Sequence, residues 1–126
     1  MPVEVSVDQD RNLIFLTIAG KLAMGNVDGL FEGVAEQLPE GEGEIDFLVD
    51  CSEAVPNEFT MTEMDSIAKR VSRLSWSSRV RREALVANQK NVLGLLKLYA
   101  QFSDGDRDIR IFRCRETAES WLEEPV

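Results

Sequence analysis

A single α/β domain, 1–126, with a mainly parallel sheet and an antiparallel first strand is predicted by three features of this 126-residue sequence. Short apolar runs alternate with segments whose apolar residues fall three and four apart. Strands alternating with helices of that length need crossovers that cover a parallel sheet on its faces. The first two strands are joined by a turn of only a few residues, which can make an antiparallel hairpin but not a parallel crossover. At this length a domain buries roughly two-thirds of its unfolded surface, enough for one core.

Val3, Val5 and Val7 alternate with Glu4, Ser6 and Asp8, the period of a half-buried strand, and Asp10, Arg11 and Asn12 then supply turn chemistry. Leu13 to Ala19 is the second strand, ended by Gly20. Val27, Leu30, Phe31, Val34 and Leu38 form one apolar helical face opposite Asp28, Glu32 and Glu36, and Pro39, Gly41 and Gly43 stop that helix. Ile45, Phe47, Leu48 and Val49 read as a central parallel strand covered on both faces and ending at Asp50. After a ten-residue connection, Met64, Ile67, Ala68, Val71 and Leu74 return to helical spacing, opposite a basic stripe of Lys69, Arg70 and Arg73. Glu83 to Ala87 is the fourth strand and Val92 to Phe102 the next helix. A turn at Asp104, Gly105 and Asp106 leads to a last strand, Ile109 to Phe112, and a last helix, Thr117 to Leu122. The order is β-β-α-β-α-β-α-β-α.

Composition narrows the chemistry. The chain is 44% hydrophobic and 29% charged, and no apolar run approaches the ~20 residues that span a bilayer. Met1 to Val5 lack the pattern of a secretory signal, so the expected compartment is the cytoplasm. Cys51 and Cys114 are expected to be reduced. If the parallel strands run in sequence order, a third strand separates the two that precede these cysteines, which puts the sulfurs ~10 Å apart. Histidine is absent, which removes the usual neutral-pH base and the commonest transition-metal ligand. Serine triads, Cys-His dyads and zinc hydrolysis are excluded in their usual forms. No catalytic, cofactor or metal site is assigned, and no cofactor is expected.

Charge is unevenly distributed. Between Leu22 and Ala68 there are twelve carboxylates and no basic residue, whereas from Lys69 to Lys97 eight basic residues face the single acid Glu83. A segregated surface orients a docking partner by its field. Lys69, Arg70, Arg73, Arg79, Arg81 and Arg82 are therefore candidates for anion or partner docking, beside the plain reading of solvated charge on a helix and its following loop. Nucleic acid is disfavoured by the net charge of −9, and only Trp76 interleaves with the basic residues as a stacking platform. An acidic protein surface fits better, including the acidic half of a second copy.

The element order, the opening hairpin, and the ending in which Phe112 and Arg113 are followed by Ala118, Trp121 and Leu122 resemble the STAS-like group. That group includes anti-sigma-factor antagonists and an uncharacterised SpoIIAA-like branch related to CRAL-TRIO lipid carriers. The resemblance covers nearly the whole chain and implies a SpoIIAA-like fold. In the antagonists a regulatory serine sits in an Asp-Ser-(Ser/Ala)-Gly stretch at the start of the helix after the third strand. The corresponding stretch here, 57–64, supplies Thr60 and Thr62 but neither the serine nor the glycine.

Thr60 followed by Glu63 fits a capping box. The functional alternative is phosphorylation of Thr60 or Thr62, where added charge would favour the helix dipole but repel Glu58 and Glu63. Leu95, Leu98, Tyr99 and Phe102 widen the apolar face of their helix beyond one stripe. They belong against a flanking helix, at a homodimer interface, or on the wall of an apolar ligand pocket. Asp50, Cys51 and Ser52 lie where open α/β sheets bind ligands, so Cys51 is the nucleophile of the enzymatic alternative. The run from Asp104 to Asp108 imitates the start of a calcium loop without its later glycine and glutamate, and the stretch from Gly25 to Gly29 lacks the lysine of a phosphate loop; both read as turns or caps. The function expected is that of a non-enzymatic regulatory or interaction domain acting through a protein partner or its own homodimer. The alternative is a small apolar-ligand or lipid binder, which needs a cavity of ~300 Å³ or more beside the Val92 to Phe102 helix.

Overall fold

The computed structural model describes residues 3–21, 24–55, 59–103 and 107–125. The expected turn at Asp104 to Asp106, with its calcium-like spacing, and the positions Asn57 and Glu58 lie outside the described residues. Among the described residues five strands and four α-helices follow in the expected order: β1 (Val3–Asp8), β2 (Leu13–Lys21), α1 (Met24–Gln37), β3 (Ile45–Val55), α2 (Met61–Arg73), β4 (Val80–Val86), α3 (Lys90–Phe102), β5 (Asp108–Phe112) and α4 (Arg115–Glu123). The sheet order is β1-β2-β3-β4-β5, with β1 antiparallel to β2 and every other pair parallel. Asn12 adopts the left-handed conformation, φ 48°, that closes the β1–β2 turn.

Sequential parallel strands joined by right-handed crossovers place their helices on one face. Val27, Phe31 and Val34 of α1, Met64, Ala68 and Val71 of α2, and Val92, Leu93 and Tyr99 of α3 pack accordingly on the face that carries Ile14, Leu16, Phe47 and Leu85. Only α4 returns to the other face, where Ala118, Trp121 and Leu122 meet Leu13, Leu48, Ala84 and Val86. That face is open over β1, whose Glu4 and Ser6 are exposed.

β2 runs on through Gly20 to Lys21 and β5 starts one residue early, at Asp108, and two further strands depart more from expectation. β3 does not end at Asp50 but continues to Val55, beside β2 alone after Asp50 pairs with Val86. Between the Thr17–Asp50 and Ala19–Glu53 pairs β3 carries one extra residue, a bulge, and Asp50 Oδ1 accepts from the amide (2.9 Å) and hydroxyl (2.7 Å) of Ser52. The polar Asp-Cys-Ser stretch thus resembles a turn in sequence because it satisfies itself locally. β4 begins at Val80 rather than Glu83, since both arginines before Glu83 find acceptors inside the fold. Arg81 Nη2 lies 2.9 Å from Asp46 Oδ2. Arg82 is buried, and its guanidinium donates to the carbonyls of Trp121 (2.7 Å), Glu124 (2.8 Å) and Pro125 (3.2 Å). The Gly25 to Gly29 stretch, read as a turn or cap, lies within the first turns of α1.

Candidate functional site

α2 and α3 pack closely along each other, while α1 lies toward β1, where a Cβ on Gly33 would stand 3.4 Å from Val5. The gap between α1 and the α2–α3 pair is an apolar cavity of about 170 Å³. Leu16, Phe47, Val49 and Leu85 form its floor, Leu30 and Phe31 one wall, and Ile67, Leu95 and Leu96 the other. Trp76, stacked on Phe47 at 5.4 Å, stands at the end nearest the strand N-termini. Val55 and Phe59 line the opposite end, and Val55 is 46% exposed, so the cavity approaches solvent at the strand C-termini. Ligands of open α/β sheets bind at that edge. Above the cavity walls the Arg70 guanidinium of α2 bonds the Asp28 carboxylate of α1 and lies 5.1 Å from the centre of the Phe31 ring.

Two buried side chains with polar ends enter this lining. Glu83 of β4 and Tyr99 of α3 both face the cavity. Arg107 Nε donates to Glu83 Oε1 at 3.1 Å, with side chains only 4% and 7% exposed for Arg107 and Glu83. The Tyr99 hydroxyl lies within the electrostatic reach of the Glu83 carboxylate, and Arg107 Nη2 donates to that hydroxyl at 3.5 Å. Burial pushes the Glu83 carboxyl up, and Arg107 and Tyr99 pull it back. Burial and then the Glu83 charge hold the Tyr99 phenol well above its ordinary range, so it stays a donor.

Cys51 also lines the cavity, but burial, and next Asp50, push its thiol up to about 12. It therefore holds its proton at neutral pH and is a poor nucleophile. Cys114 is the exposed thiol, at the N-cap of α4, and both cysteines are free.

The basic run does not form one surface. Lys69 Nζ donates to the Phe102 carbonyl (3.0 Å) at the end of α3, and Arg79 Nε to the Gly43 carbonyl (2.9 Å). Arg70 and Arg81 pair with acids, Arg82 is buried, and Arg73 is exposed. The acidic and basic segments thus meet inside one molecule, at Asp28–Arg70 and at Arg81 with Asp46 and Glu44. Trp76, considered as a stacking platform, is instead part of the core around Phe47. The wide apolar face of α3 is divided: Leu95 and Tyr99 line the cavity, while Leu98 and Phe102 join the cluster that holds Met64, Ala68 and Val71 of α2. Thr60 and Thr62 are exposed, and Thr60 forms the capping box, its hydroxyl accepting from the Glu63 amide (3.1 Å) while Glu63 Oε1 accepts from the Thr60 amide (3.1 Å). Among the described residues no group of three or more acids or cysteines is placed to hold a metal ion, and no helix is long and apolar enough to cross a membrane.

An ordered mixed sheet, three helices stacked on one face and an apolar cavity beneath them define a small α/β domain of the STAS-like kind. The family described as SpoIIAA-like matches residues 13–123, and the chain belongs to it. Among solved structures it is similar to an uncharacterised protein of the DUF3478 family with a SpoIIAA-like fold from Shewanella loihica PV-4. The two are 15% identical with a TM-score of 0.62, over 95% of this chain and 91% of that one. At that identity the likeness bears on fold alone. No curated protein matches the sequence.

Proposed function

We propose that this SpoIIAA-like domain is a non-enzymatic binding module that holds a small apolar molecule between α1 and the α2–α3 pair. The apolar cavity of about 170 Å³ carries this reading. A dry, enclosed void of that size would forgo about 4 kcal/mol of packing, at ~24 cal/mol per Å³, and one that opens to solvent at one end forgoes part of that. Domains have only about 5–15 kcal/mol in total. A sequence that keeps such a void at the ligand-binding edge of its sheet is better explained by an occupant than by loose packing. The volume is below the ~300 Å³ of common ligand sites and close to the ~150 Å³ that admits a benzene ring, so a whole lipid tail does not fit.

Native mass spectrometry of the purified chain, with and without added small aromatics, tests the reading. Bound apolar mass is expected, and Val49→Phe, which fills the floor of the cavity, is expected to abolish it while raising stability by about 1 kcal/mol in urea melts. Loss of stability in Val49→Phe together with undiminished binding would place the ligand elsewhere. The interaction reading keeps one observation of its own: Met61, in the first turn of α2, is 62% exposed. A partner bound there would protect Met61 from oxidation.

A further inference from the structure

We infer that the cavity selects a neutral molecule of single-ring size bearing one hydroxyl, which donates to the Glu83 carboxylate, and that it rejects carboxylates and ammonium ions of equal size. The inference rests on the cavity reading above and names its ligand class. Size follows from the volume, which is close to that of a cavity that accepts benzene. Charge follows from the wall. Glu83 is the ionisable acid of the lining, and Arg107, 3.1 Å away, already balances it.

A carboxylate ligand entering beside Glu83 would have to compete with it for Arg107, which is buried and engaged. An ammonium would leave water for a site whose negative charge is spent, and such transfers are strongly unfavourable without a partner. A hydroxyl meets neither obstacle. A carboxylate offers about four acceptor sites, so the bond from Arg107 leaves room for a further donor. Arg107 also holds the acceptor in place, so little order is lost when the hydroxyl binds.

Titration of the full chain with toluene, p-cresol, benzoate and benzylamine, followed by amide chemical shifts, tests this. Shifts are expected at Val49, Leu95 and Tyr99, with p-cresol binding about tenfold tighter than toluene, the scale of one hydrogen bond to a charged acceptor. Benzoate and benzylamine are expected to bind at least about thirtyfold more weakly than p-cresol, the scale of an uncompensated buried charge. Benzoate or benzylamine binding as well as toluene would overturn the selection against charge, and p-cresol no tighter than toluene would remove Glu83 as the acceptor. Both results would leave the cavity reading standing. If none of the four compounds moves the cavity residues, the cavity reading itself falls.

Discussion

Cys51 and Cys114 carry the same side chain in opposite surroundings. Cys51 is buried and held protonated, whereas the Cys114 thiol is drawn down, first by the Thr117 hydroxyl, whose oxygen lies 3.4 Å from the sulfur. Alkylation at neutral pH should therefore modify Cys114 alone, with a midpoint below that of a free cysteine, and Cys51 only after unfolding; peptide mapping after a timed iodoacetamide pulse checks both. Thr117→Val should move the Cys114 midpoint back up. Glu83 was legible only as a polar residue at the head of the apolar run from Ala84 to Ala87. Its partner Arg107 is twenty-four positions away beyond a helix, a distance that no local pattern spans. Glu83→Ala would leave Arg107 buried without its counter-charge, and a loss of about 3–5 kcal/mol is expected in urea melts. A loss below about 1 kcal/mol would mean that water already reaches the pair.

Elements were legible where their signal is periodic and their partners are near. The faces of α1, α2 and α3 follow apolar spacing, and Thr60 with Glu63 marks the start of α2 because both halves of a capping box lie within four residues. Thr60→Ala should cost about 1 kcal/mol and loosen the first turn of α2, read as faster amide exchange near Glu63. Strand ends were not legible when polar residues extend a strand. The bulge after Asp50 keeps β3 going through residues that resemble a turn, and Arg81 and Arg82 occupy β4 because acceptors wait for them on β3 and at the end of α4. The width of the α3 face was visible in sequence, but not its division between α2 and the cavity, which depends on where α1 lies.

For the molecule as a whole, the order of strands predicts its asymmetry: consecutive right-handed crossovers stack three helices on one side and leave the other to α4. The cavity was legible only as an alternative, through the wide apolar face that carries Leu95 and Tyr99; its other apolar lining residues are ordinary core residues, and the spacing of whole helices creates the void. Charge segregation was visible, and part of it is used inside the fold. Asp28–Arg70 and Asp46–Arg81 join the two segments, so light scattering should give one mass at 50 mM and at 500 mM salt; a mass that falls with salt would assign the segments to self-association instead. The clamp made by Arg82 reaches further. Its acceptors are carbonyls some forty positions later in the chain, at the end of the last helix. While a ribosome is still synthesising the protein, β4 emerges with a cation that nothing yet receives, and the sheet stays open on that side until α4 has cleared the exit tunnel. Docking of α4 is therefore a late step in the closure of this fold, and a chain stopped just before α4 would leave the Arg82 guanidinium without its three carbonyl acceptors and Leu13, Leu48, Ala84 and Val86 uncovered.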